Sequence, residues 1–65
     1  MPIYRVTVRH GQSRYQYHVE DVEAAHLGEA MAQAAQRLPA EVARSADVAE
    51  VRRLVEPENR ELAPG

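Results

Sequence analysis

Arginine is the residue type in this chain best suited to binding a charged partner. Two stretches near the amino terminus place polar residues at every second position, the spacing of one face of a strand. The predicted interaction face carries Arg5, Thr7, Arg9, Arg14, Gln16, His18 and Arg52. Four arginines on one small face can follow a phosphate backbone. A solvated face whose arginines pair with carboxylates on neighbouring strands explains the same pattern.

The net charge of the chain and the positions of its tyrosines make nucleic-acid binding an alternative function and not the leading one. The formal net charge is −2 and the pI is about 5.8, with charges of both signs interspersed. The three tyrosines, Tyr4, Tyr15 and Tyr17, alternate in step with the valines, so we expect them to point away from the arginines. Sheets that bind single strands stack bases on exposed aromatic residues. We therefore expect at most weak nucleic-acid binding.

Metal and cofactor sites are not predicted. His10, His18 and His26 fall in a predicted turn, on a strand and at a helix start, so their side chains share no face. Metal ligands must converge on one point, and the chain has no cysteine thiol to support a site. The three glycines are scattered, which excludes a glycine-rich phosphate loop.

Pro2 is the one residue that suggests catalysis. If Met1 is removed, Pro2 becomes the amino terminus, and its secondary amine at the end of a strand can act as a general base. The opening MPIYRVTVRHGQS resembles the start of the oxalocrotonate-type tautomerases, small oligomeric enzymes that begin Met-Pro-aliphatic, run a strand and reach a glycine-containing turn.

The resemblance implies Pro2 as the catalytic base and arginines that bind a dicarboxylate substrate. Arg9 and Arg14 are the candidate substrate-binding arginines, although neither matches a motif of that family. The resemblance covers about the first 13 residues. That family continues from the turn into a long helix, whereas residues 14–20 (RYQYHVE) predict a second strand here, so tautomerase-like activity is the minor alternative.

A β-hairpin is the clearest local pattern and positions these side chains. In residues 1–10, Tyr4, Val6 and Val8 alternate with polar residues, and the alternation resumes in residues 14–20. Between the strands, Gly11 is free to take the positive φ that tight turns require. We expect the tyrosines and valines of both strands to pack against a helix.

A helix and a third strand follow. An apolar stripe is formed by Leu27, Met31, Ala34 or Ala35, and Leu38. The helix starts between residues 22 and 27, preferred near 26, and ends before Pro39. Residues 39–47 predict a loop with at most one helical turn. Residues 48–55 predict a strand, with a helix as the alternative. The result is a β-β-α-β domain over residues 1–56, with a three-stranded antiparallel sheet ordered 2-1-3 and one helix on one face. Residues 57–65 are expected to form an extended or frayed tail.

Size and composition bear on assembly. A chain of 65 residues with no Cys, Trp or Phe has a small core and no disulfide to support it. Self-association is the remaining way for such a domain to gain stability. No apolar stretch reaches the length of a membrane span and no signal-peptide pattern follows Met1, from which we expect a cytoplasmic protein of a bacterium or phage. The leading prediction is a non-enzymatic protein-interaction module that forms a homodimer.

Overall fold

The computed structural model describes residues 1–54 as a three-stranded antiparallel sheet with two helices packed against it. The elements are β1 (Ile3–His10), β2 (Gln16–Glu23), α1 (Leu27–Arg37), α2 (Ala40–Ser45) and β3 (Val48–Arg53). The sheet order β2-β1-β3 confirms the predicted topology. The predicted tail, residues 57–65, lies outside the described residues, and the domain boundary at residue 56 stays a prediction.

β1 is the central strand and supplies three of the eight core residues from one face. Its even-numbered residues Tyr4, Val6 and Val8 are buried, as the alternation predicted. Val51 of β3 lies opposite Val6 and packs at the border of this core. The other core residues are Val22, Ala24, Ala30, Ala34 and Val42. The core is small because half of its residues are valines and three are alanines.

β2 differs from the prediction in position and in which face it buries. It begins at Gln16, after a turn of residues 11–15, and its first residue pairs with His10. Val22 lies opposite Tyr4 and is buried, so Tyr17 and Val19 point to the opposite face. The prediction that they face the helix is wrong. A shift of one residue in register moves every side chain of a strand to the other face.

α1 begins where the sequence indicated, and two hydrogen bonds between side chains and main-chain N–H groups cap its first turn. His26 is the N-cap, and its Nδ1 accepts a hydrogen bond from the Glu29 N–H at 3.2 Å. The Glu29 carboxylate in turn accepts one from the Ala25 N–H at 2.8 Å, a reciprocal arrangement that resembles a capping box. Pro39 follows the C-cap Leu38 and stops the helix.

The face of α1 that packs on the sheet coincides only in part with the predicted stripe, of which Ala34 and Leu38 contact the core. Ala30 and Ala34 are buried, whereas Leu27 and Met31 are largely exposed. Small side chains at the contact let the helix axis lie close to the valines of β1.

α2 is a short second helix in place of the predicted loop. Val42 brings it into the core, and the Ser45 hydroxyl accepts a hydrogen bond from the Gly11 N–H at 3.2 Å. α2 therefore holds the hairpin turn against the carboxyl end of β1. β3 follows directly, which confirms the strand predicted at residues 48–55 over the helical alternative within the described residues.

Candidate interaction face

Neither helix covers one face of the sheet within residues 1–54. We call it the uncovered face, and it consists of Arg5, Thr7 and Arg9 from β1, Tyr17, Val19 and Asp21 from β2, and Val48, Glu50 and Arg52 from β3. These residues form three cross-strand rows, each with its β1 member in the centre. The face exists because the valines of β1 point the other way, toward the helices.

The arginines of the uncovered face are held by carboxylates. Arg5 donates two hydrogen bonds to Asp21, Nε to Oδ1 at 3.0 Å and Nη2 to Oδ2 at 3.2 Å. Arg9 donates two to Asp47 at 3.0 and 2.9 Å. Arg52 pairs with Glu50 at 3.2 Å. Each of these three arginines is thus matched by an acidic side chain, so the face is not a cationic surface.

These pairs change the acidity of both aspartates. The hydrogen bonds from Arg9 and its positive charge lower the pKa of the Asp47 carboxyl, against a smaller desolvation effect that raises it. Arg5 lowers the pKa of Asp21 for the same reason. Both pairs are open to solvent, so each stabilises the fold only modestly.

Exposed tyrosine and valine side chains occupy the β2 side of the uncovered face. Tyr17 is 64% exposed and Val19 is 54% exposed, and they lie in adjacent rows. The Arg9 guanidinium lies 4.3 Å from the ring centre of Tyr15, which immediately precedes the strand. Val48 adds a further exposed valine in the row of Tyr17. The face therefore combines apolar contact area with neutralised charge.

β2 is also an edge of the sheet. The hydrogen bonds that it makes to β1 show which of its main-chain groups point away from the sheet. The Ala24 N–H donates to the Pro2 carbonyl at 3.1 Å, so the even-numbered residues of β2 direct their main-chain groups to β1. The main-chain N–H and C=O groups of Tyr17, Val19 and Asp21 consequently point to the free edge. Their side chains lie on the uncovered face, so edge and face are continuous at these residues.

Gln16 and His18 do not lie on the predicted arginine face. They share the face of Val22, toward the helices, because β2 has the register described above. His18 lies opposite Val8, and Glu20 lies opposite Val6. Sequence reasoning missed this, although the alternation of Val22 and Ala24 just before the helix carries the signal.

Two polar atoms on this side of β2 are withdrawn from water and have no hydrogen-bond partner among the residues that the structure describes. They are His18 Nε2 and Glu20 Oε1. The neighbouring strand offers only the apolar side chains of Val8 and Val6 at these positions. Such atoms cost about 1–3 kcal/mol each when they stay unpaired.

The remaining predicted residues are separated. Arg14 lies in the turn of residues 11–15, outside the sheet, while Arg5, Thr7, Arg9 and Arg52 lie together on the uncovered face. Pro2 precedes β1, and its carbonyl is bonded to Ala24. Because residues 16–23 form a strand, the chain departs from the tautomerase pattern directly after the turn.

The helix side of residues 1–54 carries a polar pocket and an apolar groove. A polar pocket of about 380 Å³ lies between the hairpin turn and α2, lined by His10, Gln12, Gln16, Glu41, Val42, Arg44 and Ser45. An apolar groove of about 150 Å³ lies between α1 and β3, with Met31, Leu38 and Val51 in its walls. Pro2 lines neither of them. Among residues 1–54, no three His, Asp or Glu side chains are grouped so as to hold a metal ion, and neither helix is long and apolar enough to cross a membrane.

Comparisons of the chain with protein-family models, with curated proteins and with solved structures found no match.

Proposed function

We propose that the protein is a non-enzymatic protein-interaction module of the cytoplasm that works as a homodimer, with β2 at the contact. The observation that carries the proposal is the combination on one strand of a main-chain edge that no other strand of residues 1–54 pairs with, and the exposed side chains of Tyr17 and Val19. An unpaired edge is a template for another strand, and exposed apolar side chains beside it add contact area.

The small core supports self-association. Its residues are mostly valine and alanine, and the chain contains no cysteine with which to form a disulfide. Domains of this size expose a large fraction of their surface and commonly gain stability from a partner subunit. A second copy paired along β2 would set new side chains beside Tyr17 and Val19 and shield part of each from water.

The two sheet edges differ in how well they resist pairing. β3 presents Glu50, Arg52 and Arg53 over its second half, with one exposed valine, Val48, at its start; charged edge residues discourage strand addition. β2 carries Tyr17 and Val19 instead over its first half. This difference favours β2 as the contact strand.

Solution mass tests the proposal. Sedimentation equilibrium from micromolar to millimolar concentration is expected to show a mass rising toward twice the 7.3 kDa of the chain. Val19→Lys places a charge in the contact and is expected to weaken the dimer at least about tenfold. Met31→Lys is the matched control, because Met31 has the same exposed fraction of 54% but lies on α1. A mass of one chain at every concentration would contradict the proposal.

A second candidate function is single-strand nucleic-acid binding, which one specific observation favours. Tyr17 is exposed on the uncovered face, with the Tyr15–Arg9 stack beside it, and bases stack on such side chains. The pairing of Arg9 with Asp47 argues against it, since a phosphate would have to displace the carboxylate. A titration of single-stranded DNA and RNA at low and high salt decides between the two. Absence of salt-sensitive binding would reject this candidate.

A further inference from the structure

We infer that two copies of this chain join their β2 strands antiparallel about a two-fold axis at Val19. The pairing would double the three-stranded sheet into one continuous sheet. The inference rests on the proposed homodimer and adds the register of the contact. The observations that select the register are the outward phase of the β2 main chain and the order of charged, polar and apolar side chains along β2.

The main-chain phase limits the registers. Because odd-numbered residues of β2 direct their main-chain groups to the free edge, a symmetric pair must set odd-numbered residues opposite one another. The residue that faces its own copy can then be any from 17 to 21. Each choice brings a different set of side chains together.

Side-chain chemistry distinguishes these choices. With Glu20 on the axis, two carboxylates of the same residue face each other, and Asp21 on the axis has the same defect; like charges directly opposite destabilise a strand pair. With His18 on the axis, two imidazoles meet and Glu20 faces Gln16. With Tyr17 on the axis, His18 faces Gln16.

Val19 on the axis gives the polar side chains of β2 complementary neighbours. In this register His18 of each copy lies opposite Glu20 of the other, so an imidazole N–H donor and a carboxylate acceptor face each other twice per dimer. These positions are non-hydrogen-bonded pairs, in which the side chains approach most closely. His18 Nε2 and Glu20 Oε1 are covered by the chain's own atoms, so this pairing requires both side chains to turn from the valines of β1 toward the β2 edge.

The same register suits the uncovered face. Val19 packs on Val19 of the second copy at the axis. Tyr17 lies opposite Asp21 of the second copy, where its phenol can donate a hydrogen bond to a carboxylate that Arg5 already holds in place. Both faces of the joined strands are therefore complementary in one register.

Cysteine cross-linking reads the register directly, because the natural chain has no cysteine. In Val19→Cys the two thiols face each other, with Cα atoms about 5.5 Å apart, a spacing that a disulfide spans. In Tyr17→Cys the two thiols are separated by more than about 10 Å along the paired strands and cannot join. Both side chains are more than half exposed, so neither substitution disturbs the core.

We expect mild oxidation with oxidised glutathione to convert Val19→Cys to a covalent dimer and to leave Tyr17→Cys monomeric. A mixture of Tyr17→Cys and Asp21→Cys chains is expected to cross-link with each other. Cross-linking of Tyr17→Cys alone, with none for Val19→Cys, would overturn the register.

A side-chain exchange tests the His18–Glu20 contact. His18→Glu sets carboxylates opposite each other twice and is expected to weaken the dimer at least about tenfold. The double variant His18→Glu/Glu20→His restores the pairing with donor and acceptor exchanged, and is expected to recover affinity to within about threefold of the natural chain. A natural chain that dimerises while the exchange fails to recover affinity overturns the register and leaves the homodimer intact. A natural chain that stays monomeric overturns both.

Discussion

Replacement of Gly11 by alanine tests the turn that sets which face of β2 is exposed. Gly11 has φ of 117°, and a Cβ built there would collide with the Arg14 carbonyl oxygen. A non-glycine residue in such a backbone region costs about 1–3 kcal/mol, and relief of the collision requires the turn to shift. We therefore expect Gly11→Ala to lower the free energy of unfolding by about 2–3 kcal/mol.

The loss should be large for this domain, because chains of this length are stable by only about 3–10 kcal/mol. With a urea m-value of about 1 kcal/mol/M, the unfolding midpoint falls by roughly 2 M. The assay is urea unfolding followed by circular dichroism at one fixed protein concentration, since any dimer makes the midpoint concentration-dependent.

Gly28→Ala is the matched control, with the opposite sign. Gly28 lies in the first turn of α1, where an added Cβ would meet the His26 ring at 3.4 Å, an ordinary contact. Alanine is favoured over glycine in a helix by about 0.5–1 kcal/mol, so this variant should be slightly more stable. A Gly11→Ala midpoint equal to that of the natural chain would refute the reasoning, including the turn geometry that places Tyr17 on the uncovered face.

Three further predictions concern stability. Folding lowers the pKa of Asp21 and Asp47 below the ordinary 3.8. The stability that these two carboxylates give the fold is therefore complete above that pH and is lost as the pH falls through the lower folded values. The urea midpoint should fall in acid, and it should fall less for Asp47→Asn. An unchanged acid profile for that variant would contradict the role of the Arg9 pair. Val8→Ala should cost about 2–3 kcal/mol in the same assay, because Val8 is buried, whereas the exposed Val48→Ala should change stability by less than about 0.5 kcal/mol; equal losses would count against the described core. His26→Ala should lower the free energy of unfolding by about 1 kcal/mol through loss of the N-cap hydrogen bond, whereas His26→Asn should retain most of that stability. No loss of stability in the alanine variant would show that the cap is not formed.

The sequence predicted the elements and their order well, because each has a strong local cause. The valine alternation of β1, the alanine-rich α1 and the stop at Pro39 are all properties of neighbouring residues. The antiparallel order follows from connection rules rather than from particular contacts. The short helix α2 was underestimated because its one buried side chain, Val42, gives no periodic pattern.

The exposed face of β2 was not predictable from its own residues. Tyr17 and Val19 alternate as a buried strand face would, and the only local signal against this is the opposite alternation of Val22 and Ala24 at the end of the strand. Their exposure follows from the five-residue turn, the pairing of Val22 with Tyr4, and the cover that the helices give to the other face. These are long-range effects, and a one-residue change in register reverses them. The candidate site was thus half predicted, with its β1 residues correct and its β2 residues on the wrong side.

Residue-resolved amide hydrogen exchange as a function of protein concentration tests the proposed contact most directly. In a single chain the N–H groups of Tyr17, Val19 and Asp21 point to the free edge and should exchange rapidly. We predict that their exchange slows as the concentration rises, because a second β2 strand accepts their hydrogen bonds, while the amides of β1 are protected throughout. Rapid exchange at these three amides at every concentration, with β1 still protected, would contradict β2 pairing.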